Sequence, residues 1–190
     1  FGVFLLSSCD ADIPVAALKE KYQKSNSAFI DIDGMPVHYI IEGKLDDSLP
    51  IVFIHGTSAS LHTWDTLSSL LKANKKIIRF DLPAFGLTGP NPLNQYSFNF
   101  YNQFIDQLLL KLNVTKCIVA GNSLGGSIAW NYAIASPNKV KQLILLDASG
   151  YPKKDEKGSL GFKLAAIPVL NQALKHISPI SLIRKSLEDA

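Results

Sequence analysis

The chain has 190 residues, of which 47% are hydrophobic and 18% are charged, a composition typical of an ordinary globular domain. This length is enough to bury a sizeable core in one domain. The formal charge of +3 is small and lysines alternate with acidic residues, as in Lys19-Glu20-Lys21, so the sequence indicates no basic face for nucleic acid.

The amino-terminal segment has the features of a membrane-targeting signal. Residues 1–6 are apolar and resemble the end of the hydrophobic region of a signal peptide. They lead into Leu6-Ser7-Ser8-Cys9, which resembles the bacterial lipobox, where the cysteine is lipidated and becomes the mature amino terminus. The alternatives are a signal-anchor helix that ends near a cysteine, or a chance match. We expect a protein of the bacterial cell envelope, facing the periplasm or the exterior, whose membrane contact is confined to this segment.

The rest of the chain is predicted to contain a core and a helical segment. Residues 1–27 are interpreted as the signal or anchor remnant and a linker, with a short helix around 15–24. Residues 28–150 carry the strand and helix patterns of the core. In residues 151–190 apolar clusters alternate with prolines, which predicts two or three short helices. The chain ends without returning to a strand pattern, so we expect it to be part of a longer protein, truncated at both ends.

Hydrophobic periodicity in the core predicts a mixed sheet. Residues 28–32 and 37–41 flank Asp33-Gly34, which is a strong hairpin signal. Four uninterrupted apolar runs follow, at residues 51–54, 77–80, 117–120 and 143–146. Because such runs need cover on both faces, they are typical of parallel strands. Cys117 begins the third run and is predicted to be a buried core residue, not the disulfide partner of Cys9.

Helical patterns separate these runs. Residues 98–112 place apolar side chains on one stripe, and Ser97 precedes them as an N-cap. The stripe consists of Phe98, Tyr101, Ile105, Leu108, Leu109 and Leu112. A second helix is predicted at 124–135 and ends before Pro137. An antiparallel hairpin followed by β-α-β-α-β-α-β predicts a doubly wound, mostly parallel α/β sheet.

A serine between two glycines lies where the third apolar run meets its helix. The sequence there is Gly121-Asn122-Ser123-Leu124-Gly125, which matches G-x-S-x-G. A nucleophilic serine needs a sharp strand-to-helix turn that exposes its hydroxyl, and the two glycines remove side chains that would collide across that turn. The helix that begins here directs backbone N–H groups toward the reaction centre. The pattern therefore predicts Ser123 as a nucleophile.

Two other interpretations of this turn receive less support. Rossmann domains also place glycines between strand and helix, but the spacing of Gly121, Gly125 and Gly126 is not G-x-G-x-x-G. The other interpretation is a packing turn with an incidental serine, which would not be accompanied by a second catalytic motif elsewhere in the sequence. Here His55-Gly56-Thr57 follows the first apolar run directly. The N–H groups of Thr57 and Leu124 are predicted to face the oxyanion of a tetrahedral intermediate.

Three motifs in this order resemble the α/β-hydrolase superfamily. They are His55-Gly56-Thr57, Asp81-Leu82-Pro83-Ala84-Phe85-Gly86-Leu87-Thr88 and Gly121-Asn122-Ser123-Leu124-Gly125-Gly126. The resemblance covers roughly residues 28–150 and is to the bacterial single-domain esterase and C–C-hydrolase-like branch. The sequence departs from that branch at Ala84, where relatives usually have glycine. The resemblance implies a Ser-His-Asp triad, an oxyanion hole from Thr57 and Leu124, and a helical cap that begins in 151–190. Dehalogenases and epoxide hydrolases share the loop pattern but use aspartate, so Ser123 argues against both.

The resemblance also implies that the acid and the histidine of the triad follow the serine in the chain. Asp147, after the fourth apolar run, is the acid in a minority of relatives and is more often structural. The catalytic histidine is expected beyond Ala190. The histidines within the chain are interpreted as structural or surface residues: His38, His55, His62 and His176. His55 in particular is expected to support the loop that it begins.

Together the motifs predict an enzyme that forms an acyl-serine intermediate on a carboxylic ester or related acyl substrate and hydrolyses it with water. The alternatives are a C–C bond hydrolase acting on a vinylogous diketone, and a ligand-binding relative without efficient turnover. No metal or organic cofactor is expected, because the sequence has no ligand cluster. The expected partner is a small-molecule acyl substrate. The 190 residues alone are expected to be inactive, with the strand at 143–146 left as an exposed apolar edge.

Overall fold

Within residues 13–150, the range that the computed structural model describes, six strands form one mixed sheet flanked by helices. Nearly all of this range belongs to one compact unit, Val15–Tyr151. In chain order the elements are α1 (Val15–Tyr22), β1 (Ser27–Ile32), β2 (Met35–Gly43), β3 (Ile51–Ile54), α2 (Asp65–Leu71), β4 (Lys76–Phe80), α3 (Phe98–Lys111), β5 (Cys117–Asn122), α4 (Leu124–Ala135) and β6 (Val140–Leu146). A 3₁₀ turn, Leu61–Trp64, leads into α2.

The strand order across the sheet is β1-β2-β4-β3-β5-β6. The pairs β1–β2 and β2–β4 are antiparallel, whereas β4–β3, β3–β5 and β5–β6 are parallel. Each parallel strand is reached from the previous one through a helix. The predicted hairpin has Asp33 and Gly34 at its turn, both with positive φ. The prediction of a doubly wound sheet with an amino-terminal hairpin is confirmed.

Alternate residues of β3 enter two different hydrophobic clusters, because successive side chains of a strand point to opposite faces. Val52 and Ile54 join the larger cluster, which includes the buried side chains of α3 and α4. Ile51 and Phe53 join a smaller cluster with Trp64, whose ring stacks on that of Phe53 at 4.6 Å between centroids. Both faces of the central strands are covered, which explains their uninterrupted apolar sequences.

The strand β6 is more exposed than the other parallel strands. It pairs with β5 and is longer than the predicted run at 143–146. Within residues 13–150 it is the last strand of the sheet, and the side chains of Leu143, Ile144 and Leu145 are 38%, 44% and 36% exposed. In the described part of the chain it therefore forms an apolar edge.

The helix α3 agrees with its sequence pattern except at two phenylalanines. The Ser97 hydroxyl accepts a hydrogen bond from the Phe100 N–H at 3.2 Å, so the predicted N-cap is confirmed. Phe98 was placed on the buried stripe, which is wrong: it is 44% exposed and lies near Trp130. Phe104, which the stripe omitted, is buried instead. Periodicity gives the direction of a side chain but not whether another element covers that end of the helix.

An ion-pair network around the buried Arg79 joins the antiparallel strands to α2. Arg79 on β4 is 3% exposed, and its guanidinium lies 2.7 Å from Glu42 and also contacts Asp65. Lys24, just after α1, lies 2.6 Å from the same Asp65 carboxylate. Burial opposes ionisation of Asp65, but the hydrogen bonds from Arg79 and Lys24 prevail and lower its pKa to about 2. The ionised carboxylate therefore holds the segment after α1 against the start of α2.

Several predicted features lie outside the described residues: Cys9, His176 and the helices of 151–190. Among residues 13–150, no helix has the length and apolar character needed to cross a bilayer. The same range contains no group of three or more His, Cys, Asp or Glu side chains arranged to hold a metal ion. Cys117 is buried in β5 as predicted, and burial raises the pKa of its thiol to about 11.

Candidate active site

Ser123 occupies a strained position between the end of β5 and the start of α4. Its φ of 50° and ψ of −116° lie in a sparsely populated region of the backbone map. For a residue with a side chain this conformation costs on the order of 1–3 kcal/mol and persists only where the surroundings enforce it. The sharp strand-to-helix turn predicted at this serine is therefore present.

Glycines permit the turn because backbone segments approach closely on both sides of Ser123. A Cβ atom on Gly121 would overlap the carbonyl oxygen of Gly125. A Cβ atom on Gly125 would overlap the carbonyl oxygens of Ile54 and His55, where β3 ends. The first turn of α4 thus lies directly against the end of β3, and a side chain at Gly125 would push the two apart.

Hydrogen bonds fix the same turn to β6 and to the loop after it. The Ser123 N–H donates to the Leu146 carbonyl at 3.1 Å, and the Asn122 side-chain amide donates to the same oxygen at 3.2 Å. The Ser123 carbonyl accepts the N–H groups of Ser127 and Ser149, at 3.1 and 3.2 Å. With both main-chain polar groups engaged, the orientation of Ser123 is set by its neighbours.

The loop after β3 lies beside this serine because β3 and β5 are adjacent parallel strands. A Cβ atom on Gly56 would lie 3.2 Å from the Cβ of Ser123. The next residue, Thr57, is exposed, and Leu124 is the first residue of α4. Within residues 13–150, neither the Thr57 N–H nor the Leu124 N–H donates to an acceptor. Two backbone donors without partners in that range therefore lie at the end of the sheet that carries Ser123, and their role as an oxyanion hole stays a prediction.

His55 connects the loops after β3 and β4. Its Nδ1 lies 2.8 Å from the Gly56 carbonyl oxygen, and its Nε2 accepts the Leu82 N–H at 3.0 Å. These partners require a neutral imidazole with its proton on Nδ1. Burial lowers the pKa of His55, which favours the same neutral form. Both nitrogens are engaged, so His55 has none free to act as a base.

Asp81 organises the loop after β4. Its buried carboxylate accepts the N–H groups of Leu61 and Leu87 at 2.7 and 2.8 Å, and lies 2.7 Å from Nδ1 of His38. Burial opposes ionisation of Asp81, but these hydrogen bonds outweigh it and hold the pKa of the carboxyl below its usual value. The Thr88 hydroxyl donates to the Asp81 carbonyl at 3.0 Å and accepts the His38 N–H at 3.0 Å. The loop is therefore tied to β2.

The structure also assembles a serine–histidine–carboxylate array that the sequence analysis missed. The Ser27 hydroxyl lies 2.8 Å from Nε2 of His38, whose Nδ1 contacts Asp81. The connectivity is that of a catalytic triad, but His38 is 0% exposed and the Ser27 hydroxyl already accepts the Lys24 N–H. A substrate has no access to this imidazole, so the array is structural. No sequence signal reveals it, because its members lie on two strands and a loop.

The other predicted polar residues have separate surroundings. His62, on the 3₁₀ turn, places Nε2 at 2.9 Å from the Tyr22 carbonyl oxygen and Nδ1 at 3.3 Å from the Asp65 carboxylate. Asp147 follows β6, is exposed, and has a φ of 45°. Within the described range Asp147 forms no ion pair with a histidine.

A doubly wound α/β sheet with a strained residue between a central parallel strand and its helix is the architecture on which α/β hydrolases place their reactive residue. Residues 50–165 match the family model described as alpha/beta hydrolase fold. The chain therefore belongs to the alpha/beta hydrolase fold family, and the predicted family is confirmed.

Each relative aligns with only part of this chain, and the alignment includes only part of the relative's own length. The 1-acylglycerol-3-phosphate O-acyltransferase ABHD5 of Sus scrofa is 29% identical over 148 residues, which are 74% of this chain and 42% of that protein. The sn-1-specific diacylglycerol lipase ABHD11 of Danio rerio is 30% identical over 112 residues, 58% of this chain and 34% of that protein. The crystal structure of a bacterial membrane phospholipase A aligns with a TM-score of 0.65 and 25% identity, over 68% of this chain and 42% of that one. The chain thus spans less than half the length of these relatives.

Proposed function

We propose that the protein to which this chain belongs is a serine hydrolase that cleaves a carboxylic ester through an acyl-serine intermediate. The observation that carries the proposal is the strained backbone of Ser123, with φ of 50° at the junction of β5 and α4. A strained conformation that several glycines and hydrogen bonds maintain indicates a functional position rather than an incidental turn. The serine at this position also distinguishes the chain from relatives that use aspartate there.

In the proposed reaction the Ser123 hydroxyl oxygen attacks the acyl carbon of the ester while a base takes its proton. The resulting oxyanion accepts hydrogen bonds from the N–H groups of Thr57 and Leu124. Collapse of the tetrahedral intermediate breaks the ester bond, and the departing alkoxide receives the proton from the base. Water then attacks the acyl-serine in the same way, releasing a carboxylic acid and restoring the serine.

The base in this scheme comes from outside residues 13–150. The three histidines of that range, His38, His55 and His62, each have both ring nitrogens within hydrogen-bond or ion-pair distance of other groups. His38 and His55 are fully buried as well. Recruiting any of them as the base would require breaking contacts that hold the fold together.

The names of the relatives favour an acyl lipid as the substrate class. They describe an acyltransferase for 1-acylglycerol-3-phosphate, a diacylglycerol lipase and a phospholipase A. An acyl-serine intermediate can pass its acyl group to water or to an alcohol, so hydrolysis and acyl transfer begin with the same step. We propose a glycerolipid or related fatty-acyl ester, with water as the acceptor.

The Ser123→Ala variant of the full-length protein tests the nucleophile. We expect hydrolysis of p-nitrophenyl butyrate to fall roughly 10⁴- to 10⁶-fold, the range seen when a triad member is removed. A fluorophosphonate probe should label the unaltered protein and not the variant. Ser69→Ala, which alters an exposed serine of α2, serves as the control and should retain both activity and labelling. Labelling or turnover that persists in Ser123→Ala would show that another residue is the nucleophile.

A further inference from the structure

A cavity of about 560 Å³ lies between α1 and two loops of the core. We call it the α1 cavity. Its walls include Leu18 and Tyr22 of α1, Ser58 and Ala59 of the loop after β3, and Gly86 and Leu87 of the loop after β4. This volume is within the range of small-molecule sites, which are about 300–1,000 Å³.

The cavity adjoins the candidate active site but does not include it. Ser123 is not among the lining residues. The connection runs through the loop after β3, in which Gly56 lies against Ser123 and Ser58 lines the cavity. Because consecutive Cα atoms are about 3.8 Å apart, the Cα atoms of Gly56 and Ser58 are separated by less than about 8 Å. This proximity is the basis for placing the chain of a substrate, whose carbonyl lies at Ser123 and Thr57, along this loop toward the cavity.

The ionisable groups on the cavity wall already have partners within the protein. Asp81 accepts three hydrogen bonds, from His38 and from the N–H groups of Leu61 and Leu87. His62 contacts the Tyr22 carbonyl oxygen and the Asp65 carboxylate. A ligand in the cavity would gain no strong polar partner from these groups. The walls also carry the hydroxyl groups of Ser58, Ser60 and Thr63, and the side chains of Leu18 and Leu87 supply the surface that an apolar chain can contact.

The helix α1 covers the cavity rather than a packed core. None of its residues is buried, and Leu18 is its one half-buried aliphatic residue with a large side chain. The helix is held at its carboxyl end, where the Tyr22 carbonyl contacts His62 and the nearby Lys24 pairs with Asp65. Leu18 thus faces space that an apolar chain would fill, and its contacts are completed only when the cavity is occupied.

We propose that the α1 cavity binds the apolar chain of the substrate and that Leu18 determines which chain lengths the enzyme accepts. This inference rests on the proposed ester-hydrolase function, because that function places the ester group of the substrate at Ser123. The ligand class is the alkyl chain of a fatty-acyl ester. The chain lies against Leu18 and Leu87 while its ester group lies beside Thr57.

Substitutions that fill or enlarge the cavity test the role of Leu18. In the full-length protein, kcat/KM is compared for p-nitrophenyl decanoate and p-nitrophenyl butyrate. Leu18→Trp should lower the decanoate-to-butyrate ratio about tenfold or more, the effect of about two methylene groups losing an apolar site. Leu18→Ala should shift the preference toward longer chains. Ala17→Trp places the same side chain on the neighbouring exposed position, which does not line the cavity, and should leave the ratio unchanged. Equal ratios in all three variants would overturn the proposal.

A binding measurement separates this inference from the proposed reaction. Decanoic acid is titrated into Ser123→Ala protein and into the same protein carrying Leu18→Trp, with binding followed by NMR of the ligand. The expected result is binding to the first that weakens about tenfold in the second. Equal binding, or none, would refute the cavity as the chain site even if Ser123 proves to be the nucleophile. Conversely, loss of binding in the double variant would support the cavity even if Ser123→Ala retains activity.

Discussion

Two turns at the same end of the sheet differ in the groups that hold them. The β4 turn, residues 81–88, is held by polar side chains that bind backbone N–H groups, chiefly Asp81 and His55. The elbow turn, residues 121–126, is held mainly by backbone hydrogen bonds of Ser123, and the absence of side chains at Gly121 and Gly125 lets its backbone segments touch. The first turn supports the site, whereas the second carries the residue that is proposed to react.

The two turns should therefore respond most strongly to different substitutions, although a Cβ on Gly86 in the β4 turn would also overlap a neighbouring group, the Asp81 carboxylate. Removing a side chain should damage the β4 turn, because buried donors lose their acceptors. Adding a side chain should damage the elbow turn, because the backbone contacts leave no space. The β4 turn should also respond to pH through the groups that hold it, whereas no titratable side chain holds the elbow turn through the hydrogen bonds described above.

Asp81→Ala should cause the largest loss of stability. The substitution leaves three buried donors without an acceptor, at about 1–3 kcal/mol each, so we expect the free energy of unfolding to fall by about 4 kcal/mol. Urea denaturation of the full-length protein measures the change. Asp81→Asn keeps one acceptor oxygen and should lose less. A loss well below 4 kcal/mol in Asp81→Ala would show that these hydrogen bonds do not hold the β4 turn.

Gly125→Ala should lower the free energy of unfolding by about 3 kcal/mol and remove most of the proposed esterase activity. Its Cβ would overlap the carbonyl oxygens of Ile54 and His55, so α4 must move and Ser123 with it. Gly89→Ala is the control in the other turn region, since a Cβ there would meet only Pro36 at 3.8 Å. The free energy of unfolding of Gly89→Ala should stay within about 0.5 kcal/mol of that of the unaltered protein. A Gly125→Ala protein with normal stability and turnover would contradict the close approach of α4 and β3.

His55 should make the stability of the β4 turn depend on pH. Burial lowers its pKa in the folded protein below the value of about 6.5 in the unfolded chain. As pH falls through 6.5, the unfolded chain binds a proton before the folded protein does, so the free energy of unfolding decreases. Above that pH this contribution is constant. Comparison of urea midpoints between pH 7.5 and 5.5 should show a smaller decrease for His55→Asn. An undiminished decrease in that variant would assign the effect to other groups.

Ala84→Gly should stabilise the protein slightly. Ala84 has a φ of 69° and is exposed, a conformation that costs a residue with a Cβ about 1–2 kcal/mol. Glycine relieves this cost but has more freedom in the unfolded chain, so a net gain of about 0.5 kcal/mol is expected. Ala73→Gly, at an exposed position without positive φ, should instead lose stability. A loss at both positions would mean that the β4 turn tolerates Ala84 without strain.

The sequence predicted the elements whose signals are local. The apolar runs became β3, β4, β5 and β6, and Ser97 caps α3, because the signals for a strand and for a helix cap lie within a few consecutive residues. The elbow turn was also predictable, since one short motif contains both the serine and the glycines that it needs.

Contacts between distant residues could not be predicted in the same way. The array of Ser27, His38 and Asp81 joins β1, β2 and the β4 turn, and none of the three has a distinctive local pattern. The α1 cavity depends on how α1 packs against the core, and the mixed apolar and charged sequence of α1 does not specify that packing. The exposure of Phe98 likewise depends on which element covers the end of α3.

The adjacency of β3 and β5 also sets when the site can form during folding. The two N–H groups proposed to hold the oxyanion belong to positions 57 and 124, and they meet only after these two strands pair. Contacts between residues so far apart in the chain form slowly, because a long loop must close before they are gained. Helices α3 and α4 can appear on a much shorter timescale. Recovery of the proposed esterase activity during refolding should therefore lag behind recovery of helical signal, and its rate should report the pairing of the central strands.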